Sequence, residues 1–306
     1  MPVVRAFAMV VLLVSIQACG TPVGQAPPEA SPGADFYQPP DPLPEGDPGD
    51  VIWTESLVAP DGVTAWRILY RSVGYDGQPV AVSGWVAFSD AVEEAPVISF
   101  GHGTTGIGDE CAPTRRGGQA PHNFLAALDS GFAVAFTDYQ GLGTPGMHHY
   151  MNGRVEANAM VDIALAASQL GRPTSDEVGL WGFSQGGHAA LFAAEHFESI
   201  APGRRLIGTA AVAPAVDISG WFAEDPPGQR HYLAMIAVAA VDALGLEADA
   251  VLSDALLDRH DQIEGGCLFD ATLAVSGLTS LFADGDPPDA LQSFFSENDP
   301  GTTGLV

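Results

Sequence analysis

The chain of 306 residues combines 46% hydrophobic with 16% charged residues, a balance typical of globular domains and not of disordered chains. This length is sufficient for one large domain or two small ones. The formal net charge is -27 and all eleven cationic residues are arginines. We therefore expect no binding to nucleic acid or to an anionic membrane surface through phosphate contacts.

The first 18 residues have the pattern of an export signal. Arg5 precedes an apolar run over 6–18, which is too short for a comfortable membrane span and has the length of a signal core. The run ends in IQAC, which resembles the lipobox of bacterial lipoproteins, although Gln17 departs from that pattern. Cys19 would then be the lipidated first residue of a surface or periplasmic lipoprotein. Cleavage after Ala18 and full secretion is the alternative.

Residues 19–50 are rich in proline, glycine and acidic side chains, which predicts a tether and not a folded domain. With Cys19 lipidated, this segment would hold the domain at a membrane. The chain has three cysteines, and lipidation would give the odd one a role in an exported protein.

Residues 51–216 are predicted to form the core. Three β-rich runs separated by turns, at 51–58, 64–73 and 80–88, predict an antiparallel start. Strands then alternate with helices: the strands are predicted at 96–101, 132–139, 178–183 and 206–216, and the helices at 122–131, 156–171 and 186–197. This alternation is typical of an α/β fold with a mostly parallel sheet and helices on both faces.

Residues 217–306 are predicted to form a helical cap, because helices at 232–246, 248–260 and 271–282 follow one another without a strand. We interpret the apolar run 232–246 as the buried core of this cap, with a lipid-facing lid as the alternative. The final stretch 294–306 is interpreted as a linker that leads back toward the core.

The segment GFSQG at 182–186 matches G-x-S-x-G between a predicted strand and a predicted helix. This context presents a serine nucleophile on a strained turn, so Ser184 is the candidate nucleophile. The backbone N–H of Gln185 lies at the start of the helix, where free N–H groups and the helix dipole favour an oxyanion. A glycine-rich turn without chemistry is the alternative.

The loop GHGTTG at 101–106 follows a predicted core strand and is the candidate for the second oxyanion donor. We assign that donor to the backbone of Thr104. We interpret His102 as a structural residue of this loop, because it precedes the nucleophile in the chain.

The segments at 70–88, 101–114, 137–150 and 182–195 together resemble the secretory lipase family, the lipase-A-like branch of the α/β hydrolases. The resemblance implies an α/β-hydrolase core with a helical cap, and hydrolysis of triacylglycerols or other carboxylic esters outside the cytoplasm. It implies no metal and no organic cofactor. It carries Ser184 over as the nucleophile and implies a disulfide between Cys111 and Cys267, with two buried free thiols as the alternative.

In α/β hydrolases the catalytic acid and histidine follow the nucleophile in the chain. In the resembled family they follow the cap, and no strand is predicted after residue 216. We therefore expect a C-terminally truncated chain without its last core strands, acid and base. Asp217 and His260 have the right order and are weak internal candidates. Loss of the histidine costs on the order of a millionfold in turnover, so the activity of this chain stays open.

Three functions follow from these observations. The first is an exported lipase or esterase that works through an acyl-enzyme on Ser184. The second is a non-catalytic, surface-tethered relic that binds apolar ligands under the cap. The third is another serine acyl hydrolase, such as a peptidase or acyltransferase, because the fold alone does not exclude it.

Overall fold

The computed structural model describes residues 28–30, 35–117, 124–226 and 228–301. The predicted signal at 1–18 and the lipidation site Cys19 lie outside these residues. The strands are β1 Val51–Ser56, β2 Val63–Val73, β3 Pro79–Ser89, β4 Ala95–Gly101, β5 Ala133–Thr137, β6 Thr174–Phe183 and β7 Arg205–Val212. They form one seven-stranded sheet in the order β1-β2-β3-β5-β4-β6-β7.

The sheet is mixed. The pairs β1–β2, β2–β3 and β3–β5 are antiparallel, whereas β4–β5, β4–β6 and β6–β7 are parallel. Short turns join the first three strands, as is usual for antiparallel hairpins. Helices connect the later strands, because parallel neighbours need a longer crossover. The predicted antiparallel start and α/β class are confirmed.

Three helices flank the sheet: α1 Phe124–Asp129, α2 Gly153–Ala167 and α3 Gln185–Ile200. Helices α2 and α3 share one buried cluster with the sheet, and α1 contributes Leu128 to a separate cluster with Trp85 and Phe136. Helices therefore cover both faces of the sheet. Helix α2 begins earlier than predicted because the Asn152 side chain accepts the Val155 N–H at 3.1 Å and caps it.

The chain after β7 is helical. It contains α4 Ile218–Glu224, α5 Arg230–Ala243, α6 Ala248–Val251, α7 Asp254–Leu257, α8 His260–Glu264, α9 Leu268–Ala274 and α10 Asp289–Glu297. These helices pack around a hydrophobic cluster of their own. In α5 the whole run Leu233–Val241 is buried, which supports its interpretation as the core of the cap. Among the described residues, no helix has the length and apolar character that crossing a bilayer requires.

The cap differs from the prediction in two places. The single helix predicted at 248–260 is broken, because Leu252 pairs with Phe282 and Ser253 caps a new helix through the Leu256 N–H at 3.2 Å. Helix α10 occupies part of the stretch that we interpreted as a linker. Its Leu291, Phe294 and Phe295 are buried on one helical face, and contact with the rest of the cap cluster fixes this short segment as a helix.

A disulfide joins the cap to the core. Cys111 and Cys267 are bonded, with their Cα atoms 5.4 Å apart and a sequence separation of 156. Beside the bond, Leu268 donates its N–H to the Thr105 carbonyl at 2.8 Å, and Gly106 pairs with Cys267. The loop after β4 is therefore fixed directly to the start of α9.

Residues 35–50, here called the N-terminal strap, contact the sheet at both ends, and the tether predicted over 19–50 does not include these contacts. Phe36 and Tyr37 are buried in a cluster with Ile52, Leu69 and Ala81. The composition of this segment is rich in proline and glycine and predicted no folded structure. Burial of the two aromatic side chains nevertheless stabilises its contact with the sheet.

The strap also contacts a buried carboxyl group. The Tyr37 hydroxyl lies 2.9 Å from Thr114 Oγ1, and Thr114 in turn hydrogen-bonds to Asp138, which follows β5. Asp138 also accepts a hydrogen bond from Ser83 Oγ at 2.6 Å and is fully buried. Burial raises the pKa of Asp138 to about 7, against the opposing effect of its hydrogen bonds.

The disulfide gives the first prediction. The double variant Cys111→Ser/Cys267→Ser is expected to lower the free energy of unfolding by about 2–5 kcal/mol, because the bond closes a long loop. Urea unfolding of oxidised samples measures the difference. Reductant should destabilise the parent by a similar amount and leave the double variant unchanged. Equal stability of parent and variant in oxidising buffer would contradict the bond.

Candidate active site

Ser184 lies on a sharp turn between β6 and α3. Its φ of 55° and ψ of -115° are values that non-glycine residues rarely adopt. The turn is held by backbone hydrogen bonds on both sides: the Ser184 N–H donates to the Val212 carbonyl at 2.9 Å, and the His188 N–H donates to the Ser184 carbonyl at 3.0 Å. The strained residue is therefore fixed between β7 and the first turn of α3, with its side chain half-buried.

Glycines around the turn allow backbones to approach closely. A Cβ at Gly182 would lie 1.7 Å from the Gly186 carbonyl oxygen, and a Cβ at Gly186 would lie 1.9 Å from the Gly101 carbonyl oxygen. No side chain fits at either position. The two glycines of G-x-S-x-G are thus required for different contacts. Gly182 allows the start of α3 to pack beside β6, and Gly186 allows α3 to pack beside the end of β4.

The loop 101–106 lies against this turn. A Cβ at Gly103 would be 3.1 Å from Cδ1 of Phe183, the residue before Ser184. The Thr104 hydroxyl lies 2.6 Å from the Tyr150 hydroxyl, which holds the side chain of the loop residue that we predicted as an oxyanion donor. Gln185 is the first residue of α3, where backbone N–H groups have no partner within the helix. The two predicted donors therefore belong to neighbouring segments.

His102 is buried in this loop. Its Nδ1 lies 2.7 Å from the Gly103 carbonyl and its Nε2 lies 3.3 Å from the Asp138 carbonyl. Burial lowers the pKa of His102, against the opposing effect of both backbone contacts. Because both ring nitrogens face backbone oxygens, His102 supports the loop, as the sequence predicted.

The other described histidines also have places away from the Ser184 hydroxyl. Burial lowers the pKa of His148 to about 3, and its Nδ1 lies 2.8 Å from the Gln140 carbonyl. His149 lies 3.0 Å from a carboxylate oxygen of Asp242, and its ring contacts Tyr75. Burial also lowers the pKa values of His196 and His231, which lie on α3 and α5. No histidine side chain in the described ranges hydrogen-bonds to the Ser184 hydroxyl.

The weak internal candidates are not brought together. The Asp217 carboxylate accepts the Gly220 N–H at 3.1 Å and so caps α4. His260 begins α8 and lies 3.3 Å from Glu264 and 3.9 Å from Asp261. These three side chains could offer one metal ligand atom each, but Asp261 and Glu264 are exposed, as is common without a metal. No described contact joins Asp217, His260 and Ser184.

A buried carboxylate–imidazole pair lies beneath the turn. Glu156 of α2 and His188 of α3 are both fully buried, with Oε2 and Nδ1 2.8 Å apart. The pair has the chemistry of a catalytic acid and base, but the second ring nitrogen of His188 lies 2.8 Å from the Asn298 carbonyl. Both nitrogens of His188 are thus occupied, and the pair is not directed at Ser184. Glu156 was not predicted from the sequence, although it is one of two acidic residues, with Asp162, on a largely apolar helix.

The close packing at the turn gives a prediction. Gly186→Ala is expected to lower the free energy of unfolding by about 1–3 kcal/mol or more, because the new methyl group meets the backbone of Gly101. Gly208→Ala is the matched control, since a Cβ at Gly208 meets nothing within 4 Å. Urea unfolding compares the two. Equal stabilities for both variants would show that α3 and β4 do not approach as closely as described.

Comparison with known families agrees with this geometry. The model of the secretory lipase family matches residues 119–272, which is half of the chain. Among curated proteins, a probable inactive lipase of Mycobacterium tuberculosis is 27% identical over 208 residues, covering 61% of this chain and 46% of that protein. Lipase A of Arthroderma benhamiae is 26% identical over 216 residues, covering 62% of this chain and 45% of that protein. The matched region spans less than half of either relative.

Solved structures show the same fold. The rice cell wall degrading esterase LipA from Xanthomonas oryzae superposes with a TM-score of 0.70 at 21% identity, covering 83% of this chain and 80% of that one. Candida antarctica lipase A in its closed state gives a TM-score of 0.70 at 19% identity, covering 89% and 69%. The chain belongs to the secretory lipase family.

Proposed function

We propose that this chain carries the nucleophile and oxyanion donors of an exported serine hydrolase that cleaves carboxylic esters of the acylglycerol type. The observation that carries the proposal is the backbone of Ser184, with a φ of 55° and a ψ of -115° at the start of α3. Strain of this kind persists only where the surrounding structure enforces it, and it is typical of a functional site. Glycine packing enforces it here, in a member of a lipase family.

The proposed reaction begins with attack of Ser184 Oγ on the ester carbonyl carbon, while a general base takes the proton of the serine hydroxyl. The backbone N–H groups of Gln185 and Thr104 donate to the oxyanion that forms, and the alcohol leaves with a proton from the general base. Water then attacks the acyl-enzyme and releases the fatty acid, and the serine regains its proton. The base has to lie within about 2.6–3.2 Å of the serine hydroxyl, directly or through one water. The acid and the base stay unassigned among the described residues.

A second candidate is a non-catalytic protein that binds apolar ligands under the cap. Two observations favour it: no described histidine side chain hydrogen-bonds to the Ser184 hydroxyl, and one relative is named a probable inactive lipase. The two candidates differ in one measurable property. Only the hydrolase has a serine that is more reactive than an ordinary surface serine.

Hydrolysis of p-nitrophenyl butyrate and palmitate by the purified chain tests the proposal. Ser184→Ala is expected to reduce the turnover of the parent by at least about 100-fold, since it removes the nucleophile. Ser199→Ala is the matched control, because this exposed serine lies on the same helix. Turnover that is unaffected by Ser184→Ala, or absent from the parent, would contradict the hydrolase and favour the binding protein.

For localisation, we propose export as a lipoprotein through Cys19, supported by the preceding apolar run and by membership of a secretory family. Metabolic labelling with palmitate in a bacterial host is expected to label the parent, whereas Cys19→Ser should lose the label and Cys267→Ser should keep it. Absence of label from the parent would contradict lipidation and leave full secretion.

A further inference from the structure

A continuous set of buried hydrogen bonds lies beneath the Ser184 turn and is centred on Glu156. Its Oε1 accepts from the side-chain amide of Gln185 at 2.8 Å and from the Met151 N–H at 3.1 Å. Its Oε2 lies 2.8 Å from Nδ1 of His188. The side chains of Glu156, Gln185 and His188 are all fully buried. A buried carboxylate is stable only with such partners.

His188 has a partner at both ring nitrogens. Nδ1 faces the Glu156 carboxyl group, and Nε2 lies 2.8 Å from the Asn298 carbonyl oxygen. His188 therefore connects α2, α3 and the residue after α10, and the nucleophile helix is held on both sides of this ring.

The same carboxylate holds the residue after the nucleophile. The Gln185 amide nitrogen lies between Glu156 Oε1 at 2.8 Å and His148 Nε2 at 3.0 Å. His148 is itself fixed by the Gln140 carbonyl at 2.8 Å, and burial keeps it neutral, so its Nε2 accepts. Gln185 and His188 are three residues apart and lie on one face of α3. Glu156 holds both of them, and hence the first turn of α3.

We propose that Glu156 is a positioning residue: it fixes the Gln185 side chain and, through it, the backbone N–H that donates to the oxyanion. This inference rests on the proposed function, because it assigns a role within the same site. Glu156 touches no reacting atom, so its effect is on orientation. A shift of about 1 Å in a group that stabilises the transition state costs on the order of 100-fold in rate.

Two substitutions separate position from charge. In Glu156→Gln the amide oxygen can accept from Gln185 and Met151, and the amide nitrogen can donate to Nδ1 of His188, so every contact is retained. In Glu156→Ala all of these contacts are lost. Glu198→Ala is the matched control, since Glu198 is an exposed acid on α3. If Glu156→Ala fails to fold, Gln185→Met removes the same side-chain hydrogen bonds and keeps the shape.

The kinetic readout uses p-nitrophenyl esters. Glu156→Ala is expected to lower kcat at least about tenfold with KM within about twofold, since the interaction belongs to the transition state. Glu156→Gln should stay within about threefold of the parent in kcat, and Glu198→Ala should match it. A purely structural role would change stability and leave kcat of the folded fraction intact. Equal kcat for Glu156→Ala and Glu198→Ala, or equal losses for Glu156→Ala and Glu156→Gln, would overturn the proposal.

A spectroscopic measurement tests the role of Glu156 without relying on enzyme activity. Nitrogen-15 NMR follows hydrogen exchange of the Gln185 side-chain amide. These amide protons should be protected from exchange in the parent and in Glu156→Gln, but not in Glu156→Ala. A parent without ester turnover would contradict the proposed function only. An unprotected Gln185 amide in the parent would overturn the role of Glu156.

Discussion

The backbone contact between the end of β4 and the start of α3 is the constraint on which the site depends. Gly101 and Gly186 pass so closely that a Cβ on Gly186 would lie 1.9 Å from the Gly101 carbonyl oxygen. This approach brings the loop after β4, which contains Thr104, beside the turn that carries Ser184. The positions of Ser184 and of both predicted oxyanion donors therefore depend on one close backbone contact, which only glycine allows.

Buried polar groups support that contact from beneath and from the side. On one side, Glu156 and His188 connect α2 to α3, and the Asn298 carbonyl connects α3 to the segment after α10. On the other side, Asp138 connects β5 to Thr114. These contacts connect the site to elements of both the core and the cap.

The extent to which the sequence predicted this arrangement differs between its parts. The strand–turn–helix around Ser184 was predictable, because strained turns need glycine at fixed positions. The N-terminal strap and α10 were not, since their formation depends on distant partners such as Ile52 and the cap cluster. Glu156 was missed for the same reason: its partners come from α3, and the periodicity of its own helix carries no information on them.

The central claim is that the fold activates Ser184 as a nucleophile. Mass spectrometry of the purified chain after reaction with a fluorophosphonate tests it most directly, because the probe labels activated serines and spares ordinary ones. The account predicts a single adduct on the peptide that contains Ser184, absent from Ser184→Ala and present in Ser199→Ala. No adduct on the parent, or an adduct that persists in Ser184→Ala, would contradict it.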